Sequence, residues 1–396
     1  MFSSRVPADL SPNALTAAVA AHRASGRLLF DLTATNPTAA DIPYPAGVLV
    51  PLGDSAGMVY QPEPLGLASA RNAVSRDYAR LGTRVPPERV VLTASTSEAY
   101  SLLFKLLCDP GDEVLVPAPG YPLFDHLSAL DGLRASRYRL EYHGRWSIDE
   151  GSLHASWTPG VRAVIAVNPN NPTGSVLSGP ELARLATTCA ARGAALIIDE
   201  VFADYPLSAG SVPQAAWGAP SVAPAGGVAP PLTFRLGGLS KSAGLPQVKL
   251  GWIAVDGPDQ LVHDAMARLE IICDTYLSVS TPTQRAAAAL IDNGAPTRAA
   301  ILARVRGNYA LLAQAAATAS SIQVLHADAG WTAVLRIPAT RPEEVVVLDL
   351  LREDSVLVYP GYFFDFAHEA FLVVSLLPPP DLFREGVARI VKRIDG

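Results

Sequence analysis

The chain has 396 residues and a formal net charge of −6, with 49% of its residues hydrophobic and 17% charged. This acidic balance argues against nucleic acid or an anionic membrane as the main partner, and the length allows two domains with large cores. Cys108, Cys189 and Cys273 lie far apart and form no CxxC pair, so neither a disulfide framework nor a zinc site is predicted. No apolar run is long enough to span a bilayer, and the N-terminus lacks the pattern of a signal peptide. A cytoplasmic protein is therefore expected.

The first 88 residues contain two predicted helices and little other regular structure. A Ser-Pro start and a glycine stop predict a short helix over 12–25, and a second helix is predicted over 66–81. Between them, 31–38 reads as an extended segment that ends in a turn. The Pro- and Gly-rich stretch 39–65 is predicted to be irregular.

From residue 89 onward, short apolar runs alternate with segments of helical spacing. Strands are predicted at 89–93, 113–116, 162–167, 194–198, 232–236 and 250–255, with helices at 97–107 and about 180–191. Continuous apolar runs of this length are typical of strands that are buried on both faces, as in a parallel sheet. The alternation therefore predicts an α/β layer architecture.

The C-terminal third has a different pattern. The Pro-, Ala-, Gly- and Ser-rich stretch 206–231 is predicted to be a long surface loop rather than a domain linker, because the sheet pattern continues on both sides of it. Residues 258–319 are predicted to be mostly helical. Strands follow at 331–336, 355–358 and 370–375, with a helix near 342–351 and a final helix at about 380–394. This order predicts a smaller α+β domain.

One stretch, Gly237 to Trp252, places Lys241 among small residues and Lys249 eight positions later. Small residues let the backbone approach a ligand closely, and a lysine amine in such a pocket can form a Schiff base with a carbonyl group. The alternative is a surface loop with two ordinary lysines.

Polar residues follow two of the predicted buried strands. Asn168 to Gly174 follows one strand, where Asn171 offers both a donor and acceptors, and Asp199 and Glu200 end the next strand. Open α/β sheets bind ligands at the carboxyl ends of their strands. A buried carboxylate needs a cationic partner, such as a protonated ring nitrogen. The alternatives are a Pro/Asn turn for the first stretch and a helix N-cap at Asp199 for the second.

Three consecutive hydroxyl residues, Ser95, Thr96 and Ser97, lie between a predicted strand and a predicted helix. Hydroxyl groups together with the free N–H groups of a helix N-terminus form an anion site. A simple capping box is the alternative, and it is compatible with anion binding.

Taken together, these stretches resemble the class I/II aminotransferases, which are pyridoxal 5′-phosphate (PLP) enzymes of fold type I. The resemblance runs from Asn36-Pro37-Thr38 to the C-terminal helix. It implies an α/β fold with a large, mostly parallel sheet sandwiched by helices, plus a smaller α+β domain. Residues 1–45 would form an N-terminal arm and part of the small domain, 46–280 the large PLP-binding domain and 281–396 the small C-terminal domain.

The resemblance also implies roles for individual residues. Lys241 would form the Schiff base with the cofactor and then shuttle a proton. Asp199 would pair with the pyridinium nitrogen, Asn171 would hydrogen-bond the ring O3′, and Tyr121 would stack on the ring. The cofactor phosphate would be surrounded by Ser95, Thr96, Ser97, Ser240 and Lys249.

Tyr60 resembles the tyrosine that, in this family, reaches the phosphate of the neighbouring subunit. This implies a homodimer with shared active sites. Small-molecule amino donors and oxo acceptors are the expected partners, with no nucleic acid and no membrane. No metal is expected.

The sequence departs from the family pattern at several positions. Phe202 stands where a tyrosine is usual, Lys249 where an arginine is usual, and Gly238 where a serine is frequent. Val373 stands where the family carries the arginine that binds the substrate α-carboxylate, and valine cannot make that contact. Either another cation replaces it, with Arg336 as a candidate, or the substrate is not a standard α-amino acid.

The first functional hypothesis is a PLP-dependent aminotransferase that moves an amino group between an amino donor and an oxo acid by a ping-pong mechanism. The second is a PLP-dependent lyase or decarboxylase on the same fold. The third is a module that keeps the fold without catalysis. The presence of Lys241, Asp199 and Asn171 argues against the third hypothesis.

Overall fold

The structure is a computed structural model that describes residues 2–207 and 229–396. Most of the stretch that was predicted as a loop, 206–231, lies outside the described residues. Within the described part of the chain, no helix has both the length and the apolar character needed to cross a bilayer.

The helices and strands follow the predicted alternation. The helices are α1 (Ala14–Ala24), α2 (Ala68–Arg80), α3 (Thr96–Leu107), α4 (Phe124–Leu130), α5 (Glu150–Ala155), α6 (Gly179–Ala191), α7 (Leu239–Ser242), α8 (Asp259–Tyr276), α9 (Thr281–Asn293), α10 (Ala295–Ala317), α11 (Glu343–Asp354) and α12 (Pro380–Asp395). The strands are β1 (Phe30–Asp31), β2 (Val90–Thr93), β3 (Glu113–Ala118), β4 (Arg134–Tyr142), β5 (Trp146–Ile148), β6 (Val161–Val167), β7 (Ala195–Asp199), β8 (Thr233–Gly238), β9 (Gly251–Asp256), β10 (Gln323–Val324), β11 (Thr332–Arg336), β12 (Val356–Leu357), β13 (Tyr359–Pro360) and β14 (Phe371–Ser375).

An eight-stranded sheet, in the order β2-β9-β8-β7-β6-β3-β4-β5, forms the centre of the large domain. Strands β8, β7, β6, β3 and β4 pair in parallel, whereas β9 is antiparallel to both of its neighbours and β5 is antiparallel to β4. Apolar clusters cover both faces of this sheet. The side chains of β6 and β7 alternate between two of them, and the side chains of β9 alternate between one of these and a third. The predicted mostly parallel, doubly covered sheet is confirmed.

Strand β4 was missed in the sequence because its composition is polar. It carries Arg134, Arg137, Arg139 and Glu141, and only one of its side chains, Tyr138, is fully buried. A strand near the edge of a sheet has solvent on part of its surface, so it lacks the continuous apolar run that marks β6 and β7.

The C-terminal region forms a four-stranded antiparallel sheet, β10-β11-β14-β13, as predicted for the smaller α+β domain. Strand β1 pairs in parallel with β12, so the N-terminal residues join this part of the molecule. Helix α9 packs on α2 of the large domain, while α10 packs on α12. The domain limits at residues 45 and 280 remain predictions.

The strand directions decide where the site lies. The parallel strands β6, β7 and β8 end at the same edge of the sheet. Strand β2 is antiparallel to β9, and β9 is antiparallel to β8, so β2 also ends at this edge. The four loops that carried the chemical motifs therefore converge at one place, as expected for ligand sites in open α/β sheets.

Candidate active site

A cavity of ≈ 230 Å³ opens at this edge, between the large sheet and the small domain. Most of the predicted site residues line it: Ser95, Thr96, Ser97, Tyr121, Asn171, Asp199, Phe202, Ser240 and Lys241. The other lining residues are Thr35, Phe124, Val167, Val201, Gly238, Leu250, Gly251, Trp331 and Thr332. Four separate motifs are thus brought together around one space.

Asp199 is a buried carboxylic acid at the end of β7, only 7% exposed. One carboxylate oxygen accepts a hydrogen bond from the hydroxyl of Tyr100 at 2.9 Å, and the other accepts from the N–H of Val201 at 3.1 Å. Burial raises the pKa of Asp199 to about 6, although these hydrogen bonds and the charge of Lys241 act to lower it. The bond from Val201 caps a turn, since the described residues directly after Asp199 form no helix, and the ligand-binding role of Asp199 stays a prediction.

The next residue, Glu200, faces the other way and has a cationic partner. Its carboxylate accepts a hydrogen bond from Arg235 at 2.5 Å, and both side chains are almost fully buried. Among the described residues, Asp199 forms no such ion pair. Of these two adjacent buried acids, the one that faces the cavity is the one that lacks a strong cationic partner.

The amine of Lys241 lies among aromatic rings. Its Nζ atom is 5.1 Å from the ring centroid of Trp331 and 5.8 Å from that of Phe202. Burial lowers the pKa of Lys241, while the nearby Asp199 carboxylate acts to raise it. A lowered pKa increases the fraction of neutral amine, which is the form that attacks a carbonyl carbon.

The backbone that carries Lys241 is fixed from outside its own loop. The hydroxyl of Tyr205 donates a hydrogen bond to the carbonyl oxygen of Lys241, and Arg298 donates to the carbonyl oxygen of Ser242 at 3.3 Å. These bonds anchor the short helix α7 to neighbouring segments, so the amine is presented from a supported position.

The N-terminus of α3 forms one wall of the cavity. The hydroxyl of Ser95 accepts a hydrogen bond from the N–H of Glu98, as a cap does. The first turn of any α-helix leaves N–H groups without partners in the helix, and here they lie beside the hydroxyl groups of Thr96 and Ser97. A Cβ atom at Gly251 would lie 3.1 Å from the backbone carbon of Ser95, so the absence of a side chain keeps this wall open.

The polar groups of the cavity fit PLP. Oδ1 of Asn171 is buried without a hydrogen-bond partner, and the Asp199 carboxylate lacks a strong cationic partner. A protonated ring nitrogen would pair with the Asp199 carboxylate, and a phenolic hydroxyl on the ring would donate a hydrogen bond to Oδ1 of Asn171. The α3 N-terminus suits a phosphate, and Lys241 suits an aldehyde carbon. Tyr121 lies 44% exposed in the same cavity, available to a planar ring.

Two predicted cofactor residues lie outside the cavity. Lys249 is exposed, with a left-handed backbone at φ 59°, and Tyr60 is 68% exposed. Lys249 does not line the cavity of the single chain, and its place beside the phosphate stays a prediction. The exposure of Tyr60 is compatible with a role in a neighbouring subunit, which stays a prediction.

Neither Val373 nor Arg336 places a cation at the cavity in the described part of the chain. Val373 is fully buried in an apolar cluster with Trp146, Val334 and Phe364. Arg336 lies at the opposite end of β11 from the cavity-lining residue Thr332, is exposed, and donates a hydrogen bond to Gln323. The suggestion that Arg336 replaces the missing arginine is therefore wrong in this structure.

Sequence reasoning missed three residues that matter here: Tyr100, Trp331 and Thr332. Tyr100 lies one helical turn after Thr96 on α3, so helical periodicity would have placed both on the cavity side. Trp331 and Thr332 reach the cavity from the small domain, far from Lys241 in sequence, and no local motif marks them.

The sequence profile of one protein family, described as Aminotransferase class I and II, matches residues 56–390. The chain belongs to this family. The family depends on PLP, so the cofactor prediction is confirmed.

Individual relatives are moderately similar to the chain. Nicotianamine aminotransferase 1 of Oryza sativa subsp. japonica is 31% identical over 56% of this chain and 42% of its own length. Glutamate-pyruvate aminotransferase AlaA of Escherichia coli (strain K12) is 31% identical over 56% of this chain and 53% of its own length. S-alkyl-thiohydroximate lyase SUR1 of Arabidopsis thaliana is 32% identical over 49% of this chain and 40% of its own length. The chain thus spans about half the length of these relatives.

A solved structure covers the entire chain. The crystal structure of an aminotransferase from Escherichia coli superposes with a TM-score of 0.85 at 23% identity, covering 100% of this chain and 98% of that one. At this identity the similarity establishes the fold, and the predicted fold class is confirmed.

Proposed function

We propose that the protein is a PLP-dependent aminotransferase that moves an amino group between an amino donor and an oxo acid in two successive half-reactions. The observation that carries the proposal is one cavity that holds the Lys241 amine, the Asp199 carboxylate and the unpartnered Asn171 amide. Family membership and relatives that are named aminotransferases support it.

The cofactor, when bound, supplies an electron sink for the donor carbon whose bond breaks. Lys241 would hold it covalently and, once the donor amine has displaced it, would take the proton from the donor Cα. Its lowered pKa keeps the amine available as a base. Asp199 would hold the positive charge on the ring nitrogen. The rings of Phe202 and Trp331 would shield the amine from water.

We also infer that the active unit is a homodimer in which Tyr60 completes the site of the second copy. Its support is an exposed apolar run, Met58-Val59-Tyr60, in which each side chain is more than 60% exposed. Mixing a Lys241→Ala chain with a Tyr60→Ala chain tests this. Shared sites would give hybrid dimers with one intact site and recovered activity, whereas unshared sites would give no recovery.

The reaction is tested by incubating the PLP-loaded protein with a panel of amino donors. We expect the absorbance to change to that of the pyridoxamine form, with one oxo product per site. A protein that binds PLP at Lys241 but converts no donor would contradict the proposal.

A lyase is the second candidate, because one relative of similar identity is named a lyase. Release of ammonia or carbon dioxide, without formation of the pyridoxamine form, would favour it. The cytosol remains the proposed location, and it suits the three cysteines, which are free thiols in the structure.

A further inference from the structure

A second chamber of ≈ 270 Å³ adjoins the cofactor cavity. The two share four lining residues: Thr35, Tyr121, Asn171 and Thr332. The chamber is otherwise lined by Pro122, Tyr359, Phe363, Phe364 and Ser375. A donor whose amine lies near Lys241 would extend its remaining groups into this space.

The chamber wall is aromatic. The ring of Tyr359 lies 6.1 Å from that of Phe363 and 5.8 Å from that of Phe364. Such rings favour flat apolar groups. The hydroxyl of Thr332 already donates to the carbonyl oxygen of Pro172 at 2.9 Å.

None of the described residues that line the chamber is charged. In the adjoining cavity the charged lining residues are Asp199 and Lys241, and the proposed function uses both. Residues 208–228 contain no Lys, Arg or His in the sequence. A carboxylate in this chamber would therefore lose its hydration without gaining a cation from the described chain.

Two positions close to chamber residues offer the chamber no free cation. Val373 belongs to the apolar cluster that also contains the chamber residue Phe364. Arg137 is held by two carboxylates, Asp125 at 2.5 Å and Asp365 at 3.0 Å. The walls therefore select against an anion.

We propose that this aromatic chamber binds the uncharged, apolar part of a primary-amine donor, so that the donor needs no α-carboxylate. The inference rests on the proposed function and names its substrate class. In the donor half-reaction, R–CH2–NH2 and one water become R–CHO. The nitrogen and two electrons pass to the bound cofactor, so no outside oxidant is required.

The first test uses two donors that differ only in the carboxylate, 2-phenylethylamine and phenylalanine. Each is mixed with the full-length PLP-loaded protein, and the second-order rate constant of the spectral change is measured. We expect the amine to react at least as fast as the amino acid. A tenfold or greater preference for phenylalanine would overturn the proposal.

A binding test separates this inference from the proposed reaction. The probes are 3-phenylpropan-1-ol and 3-phenylpropanoate, which do not react, and their dissociation constants are measured by calorimetry. The alcohol should bind at least as tightly as the acid. Tenfold tighter binding of the acid would show that a cation, such as one from a second copy, reaches the chamber. If no amine reacts at all, the proposed function is rejected. The two dissociation constants still show whether the chamber prefers the uncharged ligand to the anion.

A pair of variants locates the binding. Phe363 lines the chamber, whereas Phe366, three residues later, is stacked on Phe371 at 4.5 Å and lines neither space. Phe363→Ala should weaken 3-phenylpropan-1-ol binding roughly three- to tenfold, the range of an aromatic contact. Phe366→Ala should change it less than about twofold. Equal effects, or a larger effect of Phe366→Ala, would place the ligand elsewhere.

Discussion

The two ends of the active-site cavity differ in what they offer a ligand. The cofactor end is formed by loops that follow strands of the large sheet, and it contains an acid, an amine and an amide without a partner. The proposed substrate end, which is the aromatic chamber, is formed largely by the small domain, and its described lining contains aromatic rings and no charged side chain. The proposed chemistry would take place at the first end, and the proposed selection among donors at the second.

This difference follows from how each end is built. Parallel strands end at a common edge of the sheet. The direction of the strands alone therefore brings together the short polar motifs that follow them. The chamber takes side chains from β11, β13 and β14, and the neighbouring apolar residues of β11 and β14 form part of the small-domain core. Variants at the cofactor end should therefore lower the turnover rate strongly. They are the clearest test of the difference between the two ends of the cavity.

The largest effect is expected for Lys241. Lys241→Ala removes both the covalent attachment and the proton carrier, so the turnover rate should fall by at least about 10³-fold. Reduction with borohydride followed by peptide mapping should label Lys241 in the native protein. The control is Lys249→Ala, because Lys249 is exposed and outside the cavity. A label on Lys249, or an equal loss of rate in the control, would reject the assignment.

The adjacent acids Asp199 and Glu200 give the second test. Asp199→Asn should lower the turnover rate by roughly 10²–10³-fold, because the charge opposite the ring nitrogen is lost. Glu200→Gln should mainly lower stability, by roughly 3–5 kcal/mol, because it breaks the buried pair with Arg235. Rates and urea unfolding of both variants would be compared. A large stability loss with a normal rate in Asp199→Asn would make Asp199 a structural residue.

The sequence could predict that Lys241, Asp199 and Asn171 lie together because the information for it is local. Lys241, Asp199 and Asn171 each lie within a few residues of a strand end that the apolar pattern had already located. Trp331 could not be placed, because its position depends on how the small domain packs over the sheet. Spacing alone could not show that Lys249 is exposed and has a left-handed backbone, because both depend on how its loop folds.

The pH dependence of stability provides a third test at the cofactor end. The pKa of Asp199 is raised from 3.8 to about 6 by burial, so between these values the folded state binds more protons than the unfolded state. The free energy of unfolding of the cofactor-free protein should therefore fall as the pH rises from about 4 to about 6, by about 3 kcal/mol from this group. Other buried acids contribute as well, so the readout is the difference between the native protein and Asp199→Asn. If both proteins show the same pH profile, Asp199 does not titrate as inferred.

The smallest effect is expected for Tyr100. Its hydroxyl donates to the Asp199 carboxylate at 2.9 Å, and burial keeps the pKa of Tyr100 well above its usual value, so it remains a donor. Tyr100→Phe removes a hydrogen bond that lowers the Asp199 pKa. The pH midpoint of the Asp199-dependent stability change should therefore shift upward, and the turnover rate should fall about three- to tenfold.

The matched control is Tyr138→Phe, because Tyr138 is equally buried and donates a single hydrogen bond to the carbonyl oxygen of Ile165 at 2.9 Å. It belongs to the apolar cluster on the other face of the sheet, away from Asp199. Both variants should lose about 1 kcal/mol of stability, since each loses one buried hydrogen bond. Only Tyr100→Phe should move the midpoint and the rate. If the two variants behave alike, Tyr100 contributes to the core rather than to the protonation of Asp199, and the polar set of the cofactor end is smaller than inferred here.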